Sequence, residues 1–138
     1  MRRAEHFAHG AEIGIRGIGA TREAAFEQAA TALTAIVADL AHVDPREGVA
    51  IDCEAPREDL LLAEWLNRLI HEMAARPMVF ARFAVTIAGT RLHATAWGER
   101  VDRERHALAA QPKRATLAAL KLERLADGDW LAQCAIAV

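Results

Sequence analysis

Residues 58–97 read EDLLLAEWLNRLIHEMAARPMVFARFAVTIAGTRLHATAW, and the fold class turns on a change of period inside them. Up to Met73 the apolar residues recur as Leu62, Trp65, Leu66, Leu69, Ile70 and Met73, a spacing that lines them along one stripe of a helix. Pro56 suits the first turn of that helix, and Glu58 and Asp59 favour the positive end of its dipole. Past Pro77 the period becomes that of a strand. Val79, Ala81, Phe83, Val85 and Ile87 share one face, Ala88-Gly89 offers a turn, and Leu92, Ala94 and Ala96 return on a facing strand as a hairpin.

The same two periods organise the flanks. Ala11 to Ile18 mixes isoleucines with glycines, as a strand entering a turn. Thr21 is placed to cap a helix, Glu23 suits its first turn, and Phe26, Ala30, Leu33, Val37 and Leu40 form its buried stripe. Asp44-Pro45 breaks the chain, and Glu47 to Cys53 reads as a short strand. Glu99 to Arg114 is a long polar segment with Pro112, and connections of that length are usually functional or disordered. Ala115 to Leu125 is helical by composition, yet Leu120-Lys121-Leu122-Glu123 alternates like a strand. Asp127-Gly128-Asp129 marks a turn, after which Trp130, Ala132, Cys134, Ile136 and Val138 alternate. Two helices and five or six mostly antiparallel strands make a two-layer α+β domain, with residues 1–138 forming a single unit.

Composition narrows the function. Hydrophobic residues at 53% and charged residues at 26% describe a chain that folds. A formal net charge of −2 argues against a protein held on nucleic acid by a basic surface. The 32 alanines, and 15 Arg against 2 Lys, read as coding bias rather than function. Serine is absent, which excludes a serine nucleophile, and the absence of Tyr removes one common general acid. No phosphate-binding or nucleophile-elbow motif occurs, and His71-Glu72 is followed by Met73-Ala74 rather than by the second His of HExxH. The residues after Met1-Arg2-Arg3 are polar, and the charge-free stretch from Gln28 to Ala38 is too short to span a bilayer. The expectation is a cytoplasmic protein without membrane attachment, with Cys53 and Cys134 as reduced core thiols.

Two polar runs remain as candidate sites: His9-Gly10-Ala11-Glu12, and Gly98-Glu99-Arg100-Val101-Asp102-Arg103-Glu104-Arg105-His106. Acidic groups of this kind could gather around a hard cation, which takes several oxygen ligands. The second run also reads as a self-paired, solvated loop. His6, His42, His71 and His93 are scattered and carry no assigned role. Trp65 and Trp97 read as core, and Trp130 as packing on the first helix or sealing a pocket.

In order and spacing these segments resemble the archease family, small proteins that assist the GTP-dependent RNA ligase (RtcB class) of tRNA splicing and RNA repair. The family's opening His-Thr-Ala-Asp motif corresponds to His9-Gly10-Ala11-Glu12, and its Leu-Leu-x-x-Trp-Leu-x-x-Leu signature to Leu61 through Leu69. Gly98, Glu99, Asp102 and His106 meet its Gly-Glu-x-x-Asp-x-x-x-His pattern. Lys113 and Thr116 stand where the family has Val-Lys-Ala-x-Thr, and Asp127-Gly128-Asp129-Trp130 where it has Gly-Gly-Trp.

The resemblance implies a barrel-like sheet, with Ala115 to Leu122 as a strand. It also implies a divalent cation, typically calcium, held by the opening acidic residue, the penultimate Asp and the last residue. Those positions here are Glu12, Ala137 and Val138, so one carboxylate is lost and affinity for a hard cation should fall. The family's Thr-Tyr-His segment has become Thr116-Leu117-Ala118. The implied function is that of an accessory protein, not an enzyme. It would promote ligase guanylylation and multiple turnover, with an acidic patch near Glu12 and Glu99, and with His9, Asp102, His106 and Lys113 as contact or orienting residues. The ligase would be the direct partner and RNA an indirect one. The competing expectation is a diverged chaperone-like or protein-binding module that no longer activates a ligase; a metal-dependent hydrolase is the third.

Overall fold

Thr21 accepts a hydrogen bond from the Ala24 backbone N at 3.0 Å, and this cap opens helix α1, Arg22–Val37. A computed structural model of the chain describes residues 2–106 and 108–138; Met1 and Ala107 lie outside the described residues. The strands in chain order are β1 (Arg3–His9), β2 (Glu12–Gly19), β3 (Glu47–Glu54), β4 (Met78–Ala88), β5 (Arg91–Arg100), β6 (Arg114–Arg124) and β7 (Trp130–Ala137). Helix α2 (Glu58–Ala75) precedes the β4–β5 hairpin, and the one-turn helix α3 (Arg103–His106) follows it. The strands form two sheets, β1-β2-β7-β6 and β3-β5-β4, with every neighbouring pair antiparallel. This is the expected α+β architecture, with two open sheets rather than a barrel-like closed one.

Each helix packs on both sheets, α1 chiefly on β2 and β4 and α2 chiefly on β6 and β3. The expected stripe of α2 is buried from Leu62 to Met73, and the Nε1 of fully buried Trp65 donates to the Phe26 carbonyl at 3.1 Å, tying α2 to α1. Gly17 lets α1 lie directly on β2: a Cβ there would sit 2.2 Å from the Ala29 backbone N. Each helix also supplies a polar side chain to an edge strand. Glu27 accepts from the Val85 backbone N at 2.9 Å, and Asn67 accepts from the Ala115 N at 2.8 Å. Both contacts satisfy backbone groups that an edge would otherwise leave open. Among the described residues no helix is long and apolar enough to cross a membrane.

Local details refine the expected pattern. Strand β1 carries no strong apolar pattern, because its helix-facing side is filled by Ala4 and by His6, whose Nε2 donates to the Ala32 carbonyl at 2.7 Å. Pro56 lies before α2 rather than in its first turn; Arg57 is the capping residue. The β4 register shifts between Phe80 and Arg82. The bulge sends Phe80 into the main core with Phe83, and Val79 into a smaller cluster with Ala38 and Val43. The hairpin turn is Gly89-Thr90, with Gly89 at φ +62°. Ala115 to Arg124 lies in strand β6, as the resemblance implies for Ala115 to Leu122 and despite the Ala and Leu content, since β7 offers a pairing partner and α2 an apolar surface. The compromise is a second bulge between Thr116 and Lys121, with Ala119 at φ +59°.

Candidate functional site

Register builds the first cluster. His9 pairs with Glu12, Ile13 with Ile136, and Arg114 with Ala137, so Glu12 lies opposite Ala137, one step beyond the Ile13–Ile136 pair. Residues directly opposite one another point to the same face. His9, Glu12, Ala137 and Arg114 therefore form one row across all four strands of the larger sheet. The adjacent row contains Phe7, Gly14, Ala135 and Thr116. Glu12 reaches inward to it: its Oε1 accepts from Thr116 Oγ1 at 3.2 Å and lies 3.8 Å from His9 Nδ1. Lys113 comes to the same end through its backbone N, which donates to the Ala137 carbonyl at 2.7 Å. Val138 follows directly and is 40% exposed. Leu117, in the β6 bulge just past Thr116, is 63% exposed and lies with Ala115, Pro56 and Asn67 along the α2 side of the strand.

The second cluster is buried. Glu99, at the end of β5, is 5% exposed, and His106 on α3 is fully enclosed. A backbone N–H only donates, so the 2.8 Å contact from the Asp102 N to His106 Nδ1 makes Nδ1 the acceptor and places the ring proton on Nε2. That Nε2 donates to Glu99 Oε2 at 3.0 Å, as does the Asp44 backbone N at 2.7 Å. The other carboxylate oxygen accepts from Arg105 at 2.5 Å. Arg105 first, then the Asp44 N–H and the His106 ring, hold the Glu99 carboxyl down to about 2. The polar run is thus ordered and self-paired. Ala109 and Ala110 donate backbone hydrogen bonds to Val37 and Ile36, so the segment is fastened to the end of α1 before it reaches Lys113.

The expected site residues thus divide between two sheets. His9, Glu12, Lys113, Ala137 and Val138 gather at one end of the larger sheet; Glu99 and His106 are enclosed beside the smaller one, with Asp102 touching His106 through its backbone N while its side chain is exposed. Enclosure leaves His106 an orienting group rather than a surface contact. The sequence alone assigned no role to Arg105, Arg114 or Leu117. Arg105 is six residues from Glu99 and meets it only because α3 turns the chain back, and the place of Arg114 follows only from the β6 register. An apolar residue in a bulge resembles any strand residue. Cys53 and Cys134 are free thiols, both pushed up to about 11 by burial and hence protonated at neutral pH.

This order of elements has known counterparts. Residues 5–138 match the family model described as the Archease protein family (MTH1598/TM1083). The chain belongs to the archease family. It is 39% identical to the protein archease of Thermococcus gammatolerans and 39% identical to that of Pyrococcus furiosus, in each case over 96% of both chains. The solution structure of Methanobacterium thermoautotrophicum protein 1598 superposes with a TM-score of 0.84 at 24% identity over the whole of both chains. The crystal structure of an archease, possible chaperone, from Thermotoga maritima gives 0.64 at 17% identity, over 100% of this chain and 98% of that one.

The cation that the family resemblance implies does not fit these side chains. Hard cations take about six to eight oxygens, usually with more than one carboxylate. At the Glu12 end there is one acidic side chain, already hydrogen-bonded to Thr116, a methyl group at Ala137, and at the expected ligand Val138 only main-chain oxygen. Among the described residues no group of three or more His, Cys, Asp or Glu side chains is placed to hold a metal ion.

Proposed function

We propose that this protein is a non-enzymatic cofactor of a GTP-dependent RNA ligase, promoting ligase guanylylation and multiple turnover in tRNA splicing or RNA repair. The observation that carries the reading is the row itself, within a chain matched to the archease family over residues 5–138. Distant segments converge to place His9, Glu12, Arg114 and Lys113 at one end of the larger sheet, and β6 adds exposed Leu117 at its edge; together they offer charge and apolar area suited to a protein partner. Glu99 and His106 act at one remove by fixing the segment that delivers Lys113. An accessory role accords with the chemistry present: serine is absent, both thiols are protonated at neutral pH, and the His–carboxylate pair is enclosed. A chaperone-like protein-binding module is the second reading, favoured by the missing carboxylate at Ala137 and by the exposed Leu117.

The docking surface is tested by the affinity of purified ligase for wild-type protein and for surface variants. Leu117→Asp and Glu12→Lys are each expected to weaken binding by about tenfold or more. Arg68→Gln, on the exposed side of α2, is expected to leave it unchanged. Full affinity in both Leu117→Asp and Glu12→Lys would place the docking elsewhere.

A further inference from the structure

We infer that the fixed charge of Arg114 takes the place of a divalent cation in this protein, so that the His9–Glu12–Ala137–Arg114 row works without bound metal. The inference rests on the proposed reading only in treating this row as the working surface.

Three observations converge. The first is the donor set. Glu12 is the one carboxylate side chain of the row, and its Oε1 is engaged by Thr116. The Ala137 carbonyl accepts from the Lys113 N at 2.7 Å, and the Ala135 carbonyl from Thr116 Oγ1 at 3.3 Å. Glu12 Oε1 and the Ala135 and Ala137 carbonyls are therefore already hydrogen-bonded within the protein, and Val138 brings main-chain oxygen but no side-chain donor.

The second is charge. Arg114 stands directly across from Ala137, exposed and without an ion pair among the described residues. Neighbouring strands lie about 5 Å apart, so a cation seated over Ala137 would lie within reach of the permanently charged Arg114 side chain. Guanidinium groups do not lose their proton in proteins. Repulsion at that distance lowers affinity for a divalent ion by about tenfold or more.

The third is symmetry of placement. Glu12 and Arg114 flank the small Ala137 from opposite sides, an anion and a cation separated by a methyl group. The row presents an acceptor and a donor to a polar partner group without needing an ion between them. The Arg114 guanidinium, with its planar fork of donors, suits a carboxylate of the partner.

Calorimetric titration with calcium and with manganese, on the isolated protein, tests this without any ligase. Wild type is expected to give no saturable heat up to millimolar ion. A137D, which places a carboxylate between Glu12 and Arg114, is expected to bind weakly, and R114A/A137D about tenfold more tightly. Only the double variant should gain several degrees of thermal stability with millimolar calcium. Saturable binding by wild type below millimolar ion would overturn the inference. So would equal affinities of A137D and R114A/A137D, since Arg114 would then not bear on the position. Should A137D fail to fold, R114A and wild type decide alone: sub-millimolar binding by wild type overturns the inference, and its absence in wild type, with any gain in R114A, upholds it. A ligase that is activated whatever these titrations return would leave the proposed function standing.

Discussion

Gly17→Ala is expected to cost about 3 kcal/mol or more and to lower the midpoint of thermal unfolding by on the order of 10 °C. The added Cβ would lie 2.2 Å from the Ala29 backbone N and 2.4 Å from the Ala25 carbonyl oxygen, both in α1. Neither is a flexible side chain that can swing aside. Relief requires α1 to lift from β2, where Ala25 and Ala29 are completely buried. An opposing effect exists, because replacing Gly with Ala reduces the freedom of the unfolded chain, but it is worth only about 0.4–1 kcal/mol. Overpacking wins. Thermal melts of wild type and variant at one pH check the sign, and a midpoint at or above wild type would mean that the helix has room to move.

His106→Ala is expected to cost about 3 kcal/mol, because it opens a cavity and strips partners from Glu99 and from the Asp102 N–H together. The carboxylate side of the same cluster is read through pH. Glu99 is depressed in the folded protein from 4.5 to about 2, so the unfolded chain takes up its proton first as acid is added. The Glu99 contribution is complete above pH 4.5, declines as pH falls, and is gone once pH passes below about 2. The stability difference between wild type and Glu99→Gln should therefore be widest near neutrality and should shrink steadily between those limits. A difference that stays constant across the range would mean that Glu99 is no better stabilised as an anion in the folded state than in the unfolded one.

The helices were legible because their apolar stripes repeat over several turns, as in Leu62 to Met73, and because Thr21 declares a start that only a capping oxygen explains. Strands read well where one face is buried and the other wet, as along Leu92, Ala94 and Ala96. Sequence reading failed where a pattern is interrupted by a bulge or filled by ambiguous residues. Ala81 reverses the facing of Val79, and nothing in the alternation of residues 79–87 announces it. Strand β1 hides because Ala4 and His6 take the positions where larger apolar side chains would mark a buried face. The site was legible in its members and not in its grouping. Glu12 and Glu99 belong to different sheets, which spacing along the chain cannot reveal, and Arg114 acquires meaning only from its pairing with Ala137.

The most direct measurement is multiple-turnover RNA ligation by the ligase of the same organism, with and without this protein at sub-stoichiometric amounts, after chelation and again with added calcium or manganese. The account predicts more product per ligase molecule when the protein is present, a faster approach to the guanylylated ligase, and stimulation that does not depend on the protein holding a metal of its own. Unchanged turnover and guanylylation at every ion level, with a folded protein and a competent ligase, would contradict it.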